Sequence, residues 1–308
     1  MDVSRHYNAV QEFVDRHIDR GLSDKPAFID AQRALTYGEL ADATRRMANV
    51  IAAFDIRPEA RIALLMLDTV DWPVAFWGAI RAGVVPVAIN TLLTVHHYEY
   101  MLADSRAQGL FVSAALLPVV EPCLGKLPHL KHVIVVGDPV PGRPAFGELL
   151  ARANDEFETA DTCPDEVAFW LYSSGSTGNP KGTRHIHTSP MFTADTYGRQ
   201  VLGIRPDDIC FSAAKLFFAY GLGNSMSMPM SVGATSVLLP ERPTPASVFT
   251  VLKEHQPTLF FGVPTLYAAL LADPECCPEN GSRRLRRFRD LVFVESTRPY
   301  HPSDCYGT

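Results

Sequence analysis

Short apolar runs alternate with amphipathic stretches along the first 140 residues, and this alternation constrains the fold more than any other feature of the chain. Runs that predict buried strands occupy residues 61–66, 84–89, 109–112 and 132–136, and stretches with helical spacing of apolar residues lie between them. Neighbouring parallel strands need a long crossover connection, which is usually a helix. The order of elements therefore predicts an α/β fold of βαβ units with a mainly parallel sheet.

The same order resumes after an interruption. Residues 138–164 contain four prolines and little periodicity, which predicts a surface connection between two lobes of about 1–140 and 166–286. Apolar runs predict four strands in the second lobe, at residues 166–172, 209–211, 234–239 and 259–262. In the first lobe, Thr36 and Glu39 fit a capping box, which predicts that a helix begins after Thr36.

Charge and composition narrow the classes of partner. The net charge of −6 leaves no basic footprint, so no nucleic-acid partner is expected. The most apolar region, 62–89, is interrupted by charged residues and glycines, so no membrane partner is expected. Six cysteines without a CxxC pair and an N-terminus without a signal-type apolar run favour a cytoplasmic location. The oligomeric state is left open.

A Gly- and Ser-rich turn follows the strand predicted at 166–172. Its sequence is Tyr172-Ser-Ser-Gly-Ser-Thr-Gly-Asn-Pro-Lys-Gly182. Glycines let an anion approach the backbone closely, and consecutive N–H groups in such a turn form a concave anion site. Four hydroxyls and the ammonium of Lys181 add further donors. The composition therefore predicts a phosphate-binding loop.

Three other interpretations of this segment can be compared with its sequence. The order of residues is not that of a Walker A loop, because no glycine immediately precedes Lys181 and no Ser or Thr follows it directly. A flexible surface linker is the structural alternative. His185 and His187 would share one face of an extended segment, but no third ligand stands at a telling spacing. A solvated or structural histidine pair is favoured, and no metal site is assigned.

The turn resembles the signature phosphate loop of the adenylate-forming enzymes, which include acyl- and aryl-CoA synthetases, peptide-synthetase adenylation domains and luciferases. Further matching segments lie at 35–40, 79–87, 90–94 and 261–267. The resemblance implies the N-terminal domain of that fold, with two βαβ lobes and mainly parallel sheets. It also implies ATP phosphate-binding by Ser173, Ser174, Gly175, Ser176, Thr177, Gly178 and Lys181.

The implied reaction has two half-steps. A carboxylate attacks the α-phosphate of ATP to give an acyl-adenylate and pyrophosphate, and the thiol of coenzyme A then displaces AMP. The resemblance thus implies ATP, Mg²⁺ and coenzyme A, with a small carboxylic acid as the partner molecule.

A second segment, Phe211–Asn224, is similar in particular to benzoate–CoA ligases. That similarity implies an aryl-acid site lined by Phe218, Ala219, Tyr220 and Gly221. A planar ring needs flat apolar walls and room, which aromatic and small residues supply. The alternative is a core segment whose small residues serve close helix packing. The choice among benzoate and its hydroxy-, amino- and halo-derivatives stays open.

The chain departs from the family pattern after residue 286. The family's adenine-site Thr-Glu motif, acidic ribose ligand and mobile C-terminal domain with its lysine have no match, so no catalytic residue is assigned. Residues 1–286 are therefore expected to form a partial AMP-binding domain with an incomplete second lobe. Residues 287–308 are expected to be an atypical, non-native tail that arises from a frameshift or a truncated gene model.

The expected function is activation of benzoate or a related aryl acid, with the 308-residue chain inactive on its own. The alternatives are a non-catalytic remnant and an unrelated nucleotide-binding ATPase or kinase.

Overall fold

The computed structural model describes residues 5–173 and 179–289, which form two compact units. The first unit comprises residues up to 24 and from 36 to 190, and the second comprises 25–35 and those from 191 onward. Each unit contains one six-stranded sheet.

The sheet of the first unit has the order β6-β5-β3-β4-β7-β8. Its strands are β3 (Arg61–Leu65), β4 (Val85–Ala88), β5 (Gly109–Ser113), β6 (His132–Val136), β7 (Val167–Ser173) and β8 (Lys181–Ile186). The β3–β4, β3–β5, β4–β7 and β5–β6 pairs are parallel, whereas β7 and β8 are antiparallel. The predicted mainly parallel sheet is confirmed.

Helices cover both faces of this sheet. They are a π-helical turn (Gln11–Asp15), α1 (Arg16–Asp19), α2 (Tyr37–Ala53), α3 (Asp71–Arg81), α4 (Val95–Ser105), a 3₁₀ turn (Ala114–Leu116), α5 (Leu117–Leu124) and α6 (Phe146–Arg152). One face carries a core of Leu65, Leu110 and Val112 packed against α4 and α5. On the other face, Phe76 of α3 packs edge-on against Phe169 of β7. Successive side chains of a strand point to opposite faces of the sheet, so packing on both faces buries these strands on both sides.

Helix α2 begins where the capping box predicts. The Thr36 hydroxyl accepts a hydrogen bond from the Glu39 amide at 3.2 Å, and a Glu39 carboxylate oxygen accepts one from the Thr36 amide at 2.8 Å. The two bonds satisfy two backbone donors that would otherwise lack partners at the start of the helix. The predicted capping box is therefore confirmed.

The sheet of the second unit has the order β12-β11-β9-β10-β1-β2. Its strands are β1 (Pro26–Ile29), β2 (Ala34–Thr36), β9 (Ile209–Ser212), β10 (Thr235–Val237), β11 (Leu259–Phe261) and β12 (Arg287–Arg289). Its helical elements are α7 (Ser189–Thr193), a π-helix (Ala194–Leu202), α8 (Ala219–Leu222), a π-helical turn (Gly223–Ser227), α9 (Met228–Met230), α10 (Pro245–His255), α11 (Pro264–Ala272) and a 3₁₀ turn (Pro278–Asn280). Every pairing among β1, β10, β9, β11 and β12 is parallel. With the first sheet, this confirms the α/β fold class.

The observed division of the chain differs from the predicted lobes of about 1–140 and 166–286. Strands β7 and β8 belong to the first unit, because β7 pairs with β4 and β8 pairs with β7. Residues 25–35 belong to the second unit, because β1 pairs with β10, with Phe28 opposite Ser236. Both differences arise from long-range strand pairing, which the Pro-rich stretch at 138–164 does not reveal.

The sheet of the second unit also includes residues beyond 286, where the tail was expected to begin. Strand β12 pairs with β11, with Leu259 opposite Arg287. Residues 287–289 are therefore part of this sheet, and residues 290–308 lie outside the described part of the chain. None of the helices in the described ranges is both long enough and apolar enough to cross a bilayer.

Candidate functional site

The predicted phosphate loop lies between the antiparallel strands β7 and β8. Ser173 at the end of β7 stands opposite Lys181 at the start of β8, and the Ser173 hydroxyl donates to the Lys181 carbonyl at 3.4 Å. Both residues are exposed. The other predicted ligands, Ser174, Gly175, Ser176, Thr177 and Gly178, lie outside the described residues. The structure thus brings two of the seven predicted phosphate ligands together at the base of a hairpin.

The two strands of this hairpin differ in character. Strand β7 is an apolar strand that packs into the sheet, as the sequence predicts, whereas β8 reads Lys-Gly-Thr-Arg-His-Ile and is largely exposed. Charged residues are common on edge strands, where they discourage pairing with other chains. Sequence patterns missed β8 because its residues lack the apolar alternation of a half-buried strand.

His185 and His187 occupy structural positions. The His185 ring stacks on Phe169 with a centroid separation of 4.6 Å. His187 is buried, and its Nδ1 accepts a hydrogen bond from the Ala9 amide at 3.1 Å. Across residues 5–173 and 179–289, no group of three or more His, Cys, Asp or Glu side chains is arranged to hold a metal ion. The positions of the two rings support a structural role for the pair.

Replacing His187 with asparagine is expected to reduce the loss of stability in mild acid. Burial lowers the pKa of His187 from 6.5 to about 4. Between these values the unfolded chain binds a proton that the folded chain does not, so stability falls as pH drops from about 6.5 to about 4. The amide oxygen of the introduced asparagine would still accept from the Ala9 amide, but the side chain would not titrate. The measurement is the urea-unfolding free energy at several pH values. If this free energy depends on pH equally in both proteins, the lowered pKa of buried His187 is contradicted.

The second predicted segment follows β9 in the sheet of the second unit. Strands β9 and β11 are parallel neighbours, and the Ala213 amide just after β9 donates to the Phe261 carbonyl at the end of β11 at 2.8 Å. The chain then turns into α8, which begins at Ala219. Ligands in open α/β sheets bind outside the carboxyl ends of the strands. The predicted aryl segment therefore begins at the end of the sheet where such sites occur.

Gly221 is held against main-chain atoms. A Cβ placed on Gly221 would lie 2.0 Å from the Lys215 carbonyl oxygen and 2.5 Å from that of Ala214. Real Cβ atoms essentially never approach other atoms so closely, so only glycine fits without a backbone shift. This contact keeps α8 tight against the turn that follows β9.

Tyr220 and Phe218 face different surroundings. The Tyr220 hydroxyl donates to the Gly262 carbonyl at 3.3 Å, and its ring packs at the margin of a core cluster that includes Met228 and Phe261. The Phe218 side chain is 44% exposed, and its ring centroid lies 4.5 Å from that of buried Phe217.

The predicted segment is thus partly core and partly surface. Leu216, Phe217 and Gly221 are buried, as the core interpretation predicts, whereas Phe218 and Ala219 are exposed, as a ligand surface requires. The core interpretation therefore fits the buried residues, and the aryl-acid site stays a prediction for Phe218 and Ala219.

Sequence reasoning gave no site role to two residues that shape this region. Gly262 follows β11, and its carbonyl accepts the Tyr220 hydroxyl; it lies inside a segment, 261–267, that the sequence identifies only as a family landmark. The Lys215 ammonium donates to the carbonyls of Leu239 and Glu241, the latter at 2.6 Å. It thereby ties the turn after β9 to the chain after β10. The sequence signal that could have identified both residues is their position shortly after the carboxyl end of a predicted strand.

The chain matches a known enzyme family and is similar to several ligases. The AMP-binding enzyme family matches residues 14–299. The chain is 54% identical over 282 residues to the 4-hydroxybenzoate–CoA/benzoate–CoA ligase of Rhodopseudomonas palustris, and 50% identical over 285 residues to the benzoate–CoA ligase of Thauera aromatica. These alignments cover 92% of this chain but 52% and 54% of the two ligases. The chain therefore spans about half the length of these relatives.

Two solved structures share the fold. The benzoate CoA ligase from Burkholderia xenovorans LB400 matches with a TM-score of 0.83 and 44% identity, over 92% of this chain and 55% of the ligase. The anthranilate CoA ligase AuaEII in complex with anthranoyl-AMP matches with a TM-score of 0.86 and 34% identity, over 89% and 53%. Because the family match covers most of the chain, from a residue in the first helical turn to one beyond β12, the chain belongs to the AMP-binding enzyme family.

Proposed function

We propose that this chain contributes the ATP-phosphate and aryl-acid sites of an acid–CoA ligase that acts on benzoate or a close aryl acid. The observation that carries the proposal is the segment after β9. There Phe218 and Ala219 are exposed at the start of α8, which Gly221 and Tyr220 fix to the carboxyl ends of β9 and β11. The relatives named for benzoate and hydroxybenzoate support the same substrate class.

Each proposed residue has a distinct role toward the acid. Phe218 offers a flat apolar wall, and Ala219 leaves space for a planar ring. Gly221 lets α8 pack directly against the main chain of the turn after β9. The Tyr220 hydroxyl donates to the Gly262 carbonyl, so the role of Tyr220 is to hold the segment in place rather than to bind the acid through its hydroxyl.

The hairpin of β7 and β8 is proposed to hold the nucleotide phosphates. The Lys181 ammonium and the Ser173 hydroxyl are exposed at its base, and their chemistry suits phosphate oxygens once the hydroxyl turns from the Lys181 carbonyl to the phosphate. We assign the same role to Ser174, Gly175, Ser176, Thr177 and Gly178. Donors fixed in advance stabilise the charge that develops on the leaving pyrophosphate. Mg²⁺ would enter with the nucleotide and neutralise phosphate charge.

We further propose that the 308 residues on their own form no CoA thioester. The family resemblance assigns adenine, ribose and carboxylate contacts to sequence that has no match here. Each lost positioning group raises the barrier by a few kcal/mol, and about 2.7 kcal/mol already means roughly a hundredfold in rate.

Ligand binding to the 308-residue chain tests the proposal. Benzoate and Mg·ATP are each titrated calorimetrically, with acetate as a carboxylate that lacks the ring. Binding of benzoate and Mg·ATP but not acetate, without benzoyl-CoA when CoA is added, supports the proposal. Equal binding of acetate and benzoate contradicts the aryl site. ATP hydrolysis that ignores benzoate would indicate an unrelated ATPase, and absence of any binding would indicate a non-catalytic remnant.

Replacing Lys181 with alanine is expected to weaken Mg·ATP binding by roughly tenfold or more without lowering stability. The ammonium is exposed, and exposed substitutions usually change stability by less than about 0.5 kcal/mol. A charge-assisted hydrogen bond to phosphate is worth more than that. Calorimetry and thermal melts separate the two effects, with the exposed Lys253 of α10 replaced by alanine as the matched control. A lowered melting temperature with unchanged ATP affinity would refute the role.

A further inference from the structure

The residue that precedes the phosphate hairpin is bonded to a distant helix. The Tyr172 hydroxyl donates to the Asp104 carboxylate at 2.6 Å and lies 3.2 Å from the Met101 carbonyl oxygen. Both partners belong to the C-terminal half of α4, about seventy positions earlier in the chain. Burial and the bond to Asp104 raise the pKa of Tyr172 well above its ordinary value, so the phenol remains a hydrogen-bond donor at any ordinary pH.

A second pair of contacts joins the same helix end to the same strand. The Arg61 guanidinium of β3 donates to the Ser105 carbonyl at 2.7 Å and stands 5.9 Å from the ring centroid of Trp170. Trp170 and Tyr172 are two positions apart in β7 and so point to the same face of the sheet. The end of α4 is thus linked to β7 directly at Tyr172 and, through Arg61, at Trp170.

Strand β8 leaves room for these rings. Gly182 pairs with Tyr172, and a Cβ on Gly182 would lie 3.0 Å from the Trp170 ring and 3.5 Å from Cζ of Tyr172. A side chain here would press on the Trp170 ring and on the strand that carries Tyr172. Glycine at position 182 therefore avoids a close contact that would disturb the bond between Tyr172 and Asp104.

We propose that the Tyr172–Asp104 hydrogen bond is a positioning contact for phosphate binding. It fixes the end of β7 against α4, and the next residue, Ser173, stands opposite Lys181, so the main chain that carries both side chains is in place before the nucleotide arrives. Donors that are already ordered lose less freedom on binding, which raises affinity. This inference rests on the proposed function of the hairpin.

The test compares Tyr172→Phe with Tyr98→Phe in the 308-residue chain. Tyr98 also lies in α4, and its hydroxyl accepts the Leu93 amide at 3.2 Å, so its loss removes a hydrogen bond on the same helix but not on the hairpin. Tyr172→Phe is expected to weaken Mg·ATP binding roughly fivefold to tenfold, as the loss of one hydrogen bond of about 1 kcal/mol or slightly more implies. Benzoate affinity is expected to stay unchanged in both variants.

Two further variants separate positioning from stability. Asp104→Asn keeps an acceptor oxygen and is expected to retain most of the affinity. Asp104→Ala leaves only the Met101 carbonyl as an acceptor and is expected to lose part of the affinity that Tyr172→Phe loses. Combining Asp104→Ala with Tyr172→Phe should weaken binding no further than Tyr172→Phe alone, because the phenol that makes the contact is already gone. Additive losses, or equal losses in Tyr98→Phe, would overturn the proposal.

A readout without nucleotide distinguishes failure of this contact from failure of the proposed function. Trypsin cleavage after Lys181, identified by mass spectrometry, is expected to be faster in Tyr172→Phe than in the parent chain or in Tyr98→Phe. Faster cleavage with no Mg·ATP binding in any variant would overturn the phosphate role and keep the structural tie. Unchanged cleavage together with unchanged Mg·ATP affinity would overturn the tie itself.

Discussion

Replacing Gly221 with alanine is expected to lower the free energy of unfolding by about 3 kcal/mol and to abolish benzoate binding. The new Cβ would lie 2.0 Å from the Lys215 carbonyl oxygen and 2.5 Å from the Lys215 carbonyl carbon. Both are main-chain atoms, so α8 must move away from the turn after β9. Overpacking of this kind costs about 1–3 kcal/mol, and a forced backbone shift lies at the upper end. The displaced helix would move Phe218 and Ala219 away from the carboxyl ends of β9 and β11.

Gly223→Ala is the matched control two positions later. A Cβ there would meet only the flexible end of the Met228 side chain, at 3.1 Å from Cε. Alanine also favours helix over glycine by about 1 kcal/mol, so stability is expected to stay level or rise. Urea unfolding and benzoate titration of both variants make the comparison. Equal behaviour of Gly221→Ala and Gly223→Ala would show that the close approach at Gly221 does not matter.

Replacing Arg286 with methionine is expected to destabilise the second unit by about 3–5 kcal/mol. The Asp208 side chain is only 3% exposed, and the Arg286 guanidinium donates to both of its carboxylate oxygens. Burial alone would raise the pKa of Asp208, but the bonds from Arg286, Thr258 and the Arg205 amide hold it below its ordinary value. Removing the cation leaves a buried charge without its main partner, which costs about 3–5 kcal/mol.

Two variants check this reasoning by urea unfolding. Arg152→Met breaks an exposed ion pair with Glu148, in which the side chains are 81% and 62% exposed, and is expected to cost less than about 0.5 kcal/mol. Combining Arg286→Met with Asp208→Asn removes the charge along with its partner and is expected to recover part of the loss. A similar small effect of Arg286→Met and Arg152→Met would mean that the Asp208 site is not a buried ion pair.

The Asp208 contacts also explain how the end of the described chain joins the second unit. Arg286 donates to the Gly203 carbonyl at 3.0 Å as well as to Asp208, and its amide donates to the Thr258 carbonyl at 2.9 Å. Strand β12 begins at the next residue. These bonds link segments before β9, before β11 and before β12, so they align three strands at their amino ends.

Local patterns in the sequence determined most of the regular structure. Apolar runs identified β3–β7 and β9–β11, because a strand buried in a parallel sheet needs apolar residues on both faces. The capping box at Thr36 identified the start of α2, because it depends on residues three positions apart. The Gly- and Ser-rich turn after β7 also predicted where a phosphate loop would lie. Each of these features depends on neighbouring residues alone.

Tertiary structure decided the rest. Strands β1, β2, β8 and β12 are short or polar, and pairing with a remote strand, such as Phe28 with Ser236, makes them part of a sheet. Backbone hydrogen bonds carry this pairing, so side-chain pattern does not reveal it. The need for glycine at 221 and the bond of Tyr172 to Asp104 likewise depend on which remote atoms the fold brings within a few ångströms. Sequence specified the chemistry of the candidate sites, and only long-range packing specified what holds each site in place.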